Sequence, residues 1–206
     1  MKLADSNIIP RWKHGVGDQQ IETWQKAFQS IHKITLHPDF RYLQFRILNR
    51  NLGVGQYTQY VKPDLPSSCT FCSLAGLYPP LETPEHLFFY CPVSSIILSK
   101  LQQWAPMKLL QCQVNAFNIL IWHDGDGKQF EFLRNSAIIW YTQFIFNCKK
   151  DTRLPNAVAL FKFITKQAQD MHAALTNARK HSQFDIFTYP DDYVRLSTGL
   201  VKIFYR

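Results

Sequence analysis

Cys69-Thr70-Phe71-Cys72, thirteen further residues, then His86-Leu87-Phe88-Phe89-Tyr90-Cys91 is the stretch that decides how the rest of the chain is read. A two-residue gap between cysteines lets one tight turn aim both sulfurs at a common point. The Pro63, Pro66, Ser67 and Ser68 approach reads as a loop delivering Cys69. Thr83-Pro84-Glu85 reads as a helix start, with Thr83 as cap and Pro84 in the first helical position, and carries His86 and Cys91 to the other side. Four soft or borderline ligands suit one tetrahedral Zn2+, and a filled shell leaves no position for catalytic water, so the site is expected to be structural. Three thiolates and one neutral imidazole would give the complex a formal charge of about −1, which Lys62 or backbone amides could offset.

On either side of this stretch the apolar pattern is helical. Trp24, Phe28 and Ile31 recur on one face, and a helix from about Phe40 carries Leu43 and Ile47 on one line with Phe45, Leu48 and Leu52 beside it, ending near Gly53. Arg46 and Arg50 lie one turn apart and are expected to share a face. After Cys91-Pro92 a short amphipathic helix runs from Ser94 to Gln103. Phe117 to Trp122 fits either a strand or a buried helical segment. Glu131 to Lys150 is apolar on nearly every face, which predicts a central helix, with Lys149 and Lys150 complementing its C-terminal dipole. A further helix is predicted from about Asn156 to Ala178 after Pro155, carrying Leu160, Ile164, Ala168, Met171 and Leu175. The fold class expected is mainly α: a flexible arm over 1–20, a zinc-stapled helical module over 21–106 and a helical C-terminal region over 107–206.

With 206 residues, 46% of them hydrophobic, the chain can bury a core of its own. Its 23 Lys+Arg against 15 Asp+Glu give a net charge of +8, which favours phosphate backbones or other anionic surfaces. Five cysteines, an odd number with two closely spaced, read as metal ligation plus buried thiols rather than a disulfide framework, and point to a reducing intracellular compartment, nucleus or cytoplasm. Cys112 and Cys148, outside the ligand pattern, read as small buried hydrophobes. No secretory signal is read at Met1-Lys2-Leu3-Ala4-Asp5-Ser6, and Ile138 to Phe146 is too short to span a bilayer.

Glu82-Thr83-Pro84-Glu85-His86-Leu87-Phe88-Phe89-Tyr90-Cys91-Pro92 resembles the E-T-x-E-H-L-F-x-x-C-P signature of the zinc-binding domain, CCHC type, that follows the reverse transcriptase of LINE-type non-LTR retrotransposons. Phe40 to Arg50 and Trp24 to Ile31 resemble that domain's leading helices, so that the likeness covers about residues 24 to 105. Phe144 to Lys149 is similar, more weakly, to a helix that follows it. The loop containing Leu74 to Pro80 is longer than the family pattern, and Leu98 stands where tryptophan is common. The resemblance implies a module that engages template RNA or target DNA, beside a polymerase core for which this chain leaves no room. It would then be a fragment or a host-adopted derivative.

Two other motifs are set aside. Tyr189-Pro190-Asp191-Asp192 has the look of a polymerase metal box but lacks a third carboxylate, and Asp124-Gly125-Asp126-Gly127-Lys128 opens like a calcium loop but places Lys128 at a ligand position. No catalytic residue is expected. The leading function is nucleic-acid binding, RNA ahead of DNA, with Arg46, Arg50 and Lys62 on the phosphates. The alternative is a zinc-stapled protein-interaction module without nucleic-acid binding.

Overall fold

The structure, a computed structural model, describes Trp24, Ala27, Phe28, residues 37–103, Ala116, Leu120 and residues 128–177. The N-terminal arm, Ile31, Cys112, most of Phe117 to Trp122, the Asp124 turn and the Tyr189 box lie outside the described residues.

The described residues are mainly helical. The elements are α1 (Pro38–Leu48), α2 (Gly55–Val61), α3 (Thr70–Leu74), a π-helical turn (His86–Tyr90), α4 (Pro92–Gln103), α5 (Lys128–Lys150) and α6 (Ala157–Asn177). Among the described residues the sole β pairing is an isolated antiparallel bridge between Ser68 and Leu81.

Local chemistry sets the helix ends. His37 caps α1 by accepting a hydrogen bond at Nδ1 from the Asp39 amide (3.3 Å), with Pro38 opening the first turn. Asn156 caps α6, its Oδ1 accepting from the amides of Val158 (2.8 Å) and Ala159 (3.2 Å). Three helices close in the same way, with paired amide-to-carbonyl bonds around a residue of positive φ. For α3 this residue is Gly76 (φ 68°), with the Leu77 amide donating to Cys72 and the Gly76 amide to Ser73. In α1 and α5 it is Arg50 and Thr152, both at φ 50°, where a side chain is disfavoured.

One continuous core joins both halves of the chain. Trp24, Leu43, Ile47, Phe71, Leu87, Phe88, Leu101, Ile139, Tyr141, Ile145, Leu160 and Ile164 all belong to it. The central helix is α5: α1, α6 and the π turn all pack on it. Leu160, Ile164 and Ala168 form the buried line of α6 at i, i+4, i+8, as the periodicity predicts. In α1 the pattern is shifted. Phe45 is exposed while Gln44 is buried, its Nε2 donating to the Leu120 carbonyl at 2.8 Å while its Oε1 has no hydrogen-bond partner among the described residues.

Candidate metal centre

Three short elements aim the four sequence-predicted ligands at one point. Cys69 is the residue before α3 and Cys72 lies within it, so a single helical turn presents both sulfurs. The loop that follows returns alongside its own start: the Cys69 amide donates to Pro80 (2.8 Å) and the Glu82 amide to Ser67 (2.9 Å). Thr83 then caps the next segment, its Oγ1 accepting from the His86 amide at 3.0 Å. From His86 the helix widens to a π turn, closed by the Cys91 amide donating to the His86 carbonyl at 2.6 Å. In a regular α-helix residues five apart point about 140° away from each other. The wider turn brings His86 and Cys91 back toward one side.

Cys69, Cys72, His86 and Cys91 form a group that could hold a metal ion, with all four ligand atoms within 4.8 Å of one another. The sulfur of Cys91 lies 3.8 Å from that of Cys69 and 3.7 Å from that of Cys72, and Cys72 Sγ is 3.5 Å from His86 Nε2. A disulfide would need about 2.05 Å, so these thiols are arranged around a point and not bonded in pairs. The three sulfurs are buried and His86 is half-buried, which closes the cluster to bulk water.

The thiols divide unequally as acids. Cys91 is held far below its usual value, chiefly by a hydrogen bond from Cys69, and also by His86 and by the Ser94 and Val93 amides at the start of α4. The Cys69 thiol is pushed up by donating to Cys91 and by burial. Cys72 is raised, mainly by burial. The Ser94 and Val93 amides thus point at the sulfur of Cys91, where negative charge is favoured. Lys62 is exposed at the end of α2.

Two buried acids frame the ligands, and sequence reading missed their roles. Glu82, only 1% exposed, accepts from the Gly55 amide at Oε1 and from the Thr70 amide at Oε2, each at 3.1 Å. Lys149 reaches across from α5, its Nζ 3.2 Å from Glu82 Oε1 and 3.1 Å from the Gly53 carbonyl. Lys149 thus ties the central helix to the metal loop, beyond the dipole role that its position suggests. Gly55 is required by this joint: a Cβ there would stand 2.2 Å from the Ser67 carbonyl oxygen. The second acid, Glu85, pairs with Arg50 at 2.6 Å, both side chains being nearly buried.

Of Arg46, Arg50 and Lys62, the residues expected on phosphates, Arg50 is engaged in that pair. The helix ends at Leu48, and the left-handed turn at Arg50 swings its side chain inward onto Glu85, off the face that holds Arg46. Arg46 is half-buried, donating from Nε and Nη2 to the Asn51 carbonyl (3.3 and 3.1 Å) with its guanidinium 5.5 Å over the Tyr42 ring. Tyr141, also unforeseen, hydrogen-bonds from α5 to the carbonyls of Phe88 (2.8 Å) and Ser94 (3.2 Å), the two segments that bracket Cys91. Its signal in the sequence was a tyrosine in an otherwise apolar helix, whose hydroxyl needs a partner once buried. Cys148 is buried, as expected of a small hydrophobe.

No protein-family model matches the chain, and comparison with curated proteins and with solved structures returns no match. No described helix is long and apolar enough to cross a membrane.

Proposed function

We propose that this chain is a non-catalytic module stapled by one structural zinc ion, and that the scaffold so formed binds nucleic acid. The observation that carries the metal assignment is the ligand spacing. Zinc–sulfur bonds of about 2.3 Å in a regular tetrahedron put sulfurs about 3.8 Å apart, and a zinc–nitrogen bond of about 2.0–2.1 Å puts nitrogen about 3.5 Å from sulfur. The separations of 3.8, 3.7 and 3.5 Å fit that figure. Four protein ligands leave no open position, which suits a staple and not a reaction centre.

The net charge of +8 supports nucleic acid as the partner, as does the resemblance to the zinc-binding tail of LINE-type reverse transcriptases. On that reading the chain is a derivative of such a tail, engaging RNA in preference to DNA, in the nucleus or cytoplasm. Arg46 and Lys62 remain its phosphate contacts, Arg50 being held by Glu85. Metal analysis of the purified chain with Cys69→Ser and Cys91→Ser tests the staple: one equivalent of zinc, lost in both variants together with helical signal, is expected. Unchanged metal content sinks it. Nucleic-acid binding is expected to weaken steeply between about 50 and 200 mM salt.

A specific observation favours the second reading, a protein-docking module. The metal loop exposes Leu74, Leu77, Tyr78 (94%) and Leu81, and α2 adds exposed Tyr60 and Val61. Binding that is insensitive to salt and lost when Leu77 and Tyr78 are made serine would select it.

A further inference from the structure

We propose that the groove walled by α1, α5 and α6 receives a nucleotide unit of a single-stranded nucleic acid. This rests on the nucleic-acid reading above and gives it a site away from the metal. The groove encloses about 460 Å³, within the range of about 300–1,000 Å³ typical of small-ligand sites. Its walls are built from three helical stripes. Asp39, Tyr42, Leu43 and Arg46 line it from α1; Gln143, Phe146, Asn147 and Lys150, at i, i+3, i+4 and i+7, from α5; Phe163 and Gln167 from α6.

The groove combines cationic, aromatic and amide side chains. Gly53 lies beside both cationic side chains' helices: a Cβ on it would be 3.4 Å from Arg46 Nη2, while its carbonyl accepts from Lys149, next to Lys150. Arg46 and Lys150 both line the groove and offer cationic places for phosphate. The Phe163 ring packs 5.9 Å from Phe144, so α6 returns antiparallel along α5 and carries Gln167 toward the Gln143 end. Gln143 Nε2 donates to Asn147 Oδ1 at 2.9 Å, which leaves the Asn147 amide nitrogen to donate elsewhere. The partly buried ring of Phe146 lines the same groove, a flat apolar face of the kind bases stack on, and the Tyr42 ring carries the Arg46 guanidinium over one of its sides.

Cationic side chains, an aromatic face and amides with both donors and acceptors match the phosphate, ring and edge of one nucleotide. A duplex would not expose its base faces to such a groove, and an extended acidic peptide would use the cations alone.

The test is fluorescence anisotropy with labelled decauridylate and its deoxythymidylate counterpart, on the zinc-loaded full chain and on Lys150→Gln, Phe146→Leu and Gln167→Leu. Lys150 is exposed, so its variant keeps the fold. The expected result is a salt slope reduced by about 0.7 for Lys150→Gln and affinity lowered about tenfold for Phe146→Leu, with helical signal and zinc content unchanged. Uridine 5′-monophosphate should compete, and decaglutamate should not. Competition by decaglutamate equal to that by uridine 5′-monophosphate overturns the nucleotide assignment. Wild-type affinity in all three variants overturns the groove while leaving nucleic-acid binding elsewhere on the chain intact. A wild-type chain that binds no strand at all defeats the broader reading and this one with it.

Discussion

Glutamine in place of Glu82 keeps the shape of the side chain and removes its charge, which isolates what the buried carboxylate does. In the native protein both oxygens accept: Oε1 from the Gly55 amide and Lys149, Oε2 from the Thr70 amide. Glutamine has one oxygen and one amide nitrogen, so either orientation turns a donor toward a donor. It also leaves Lys149 in a nearly closed site without its counter-charge. Breaking a buried pair from one side costs about 3–5 kcal/mol. Lys149 keeps 17% exposure and its bond to the Gly53 carbonyl, which places the loss at the lower end, about 3 kcal/mol. Against a typical domain stability of about 5–15 kcal/mol this is a large fraction. Urea unfolding followed by helical circular dichroism, at a fixed free zinc concentration, measures it. Because the Thr70 amide opens the turn between Cys69 and Cys72, zinc affinity in chelator competition should also fall, by about tenfold. Adding Lys149→Met should recover about 1 kcal/mol or more, since no unpaired charge remains. A Glu82→Gln protein within about 0.5 kcal/mol of wild type refutes the reasoning.

The remaining predictions concern the backbone and the central helix. Gly55→Ala places a methyl group 2.2 Å from the Ser67 carbonyl oxygen and should cost about 2–3 kcal/mol, read as a lower urea midpoint. Thr152→Gly removes a β-branched side chain from φ 50° and should stabilise the protein by about 0.5–1 kcal/mol, seen as a higher Tm; an unchanged or lower Tm contradicts it. Tyr141→Phe removes the one hydroxyl proton shared between the Phe88 and Ser94 carbonyls and should cost about 1–2 kcal/mol at neutral pH. Burial, and then the negative charge of Cys91, raise the Tyr141 phenol well above its usual value. Its contribution is therefore complete below the unfolded value of about 10 and is lost as pH rises from there toward and through the folded value. Stability measured from about pH 9 to 11 should fall less steeply in Tyr141→Phe than in wild type.

What could be read from the sequence was the part governed by local rules. The ligand set is one example, since Cys69 and Cys72 are brought together by one turn and His86 by the Thr83 cap. The central helix and the Leu160, Ile164, Ala168 line of α6 followed from periodicity. Contacts between distant segments could not be read in this way. Nothing near Lys149 in sequence identifies Glu82 as its partner, and nothing local to Tyr141 reveals the Phe88 and Ser94 carbonyls. The Arg46/Arg50 face failed for a different reason. A four-residue spacing predicts a shared face only while the helix lasts, and this one closes at Leu48 through a left-handed arginine where glycine would be the ordinary choice.

Arg50 explains why that unusual ending is stable. Left-handed backbone at a side-chain-bearing residue costs about 1–2 kcal/mol, and the conformation persists because it delivers a guanidinium to Glu85, the residue before the ligand His86. An unpaired carboxylate buried at that point would cost more than the strain does. The same logic holds at Glu82, where the compensating cation comes from α5. Each acid beside the metal segment is neutralised by a cation from a different element, so the ligand loop is fastened to α1 at one side and to α5 at the other. The buried Cys69, Cys72 and Cys91 belong to the same core as the helices. Cations consumed in that fastening are subtracted from the outer surface. Among the described cations not used in that fastening, Arg46 and Lys150 line the groove between α1, α5 and α6, and Lys62 is exposed at the end of α2.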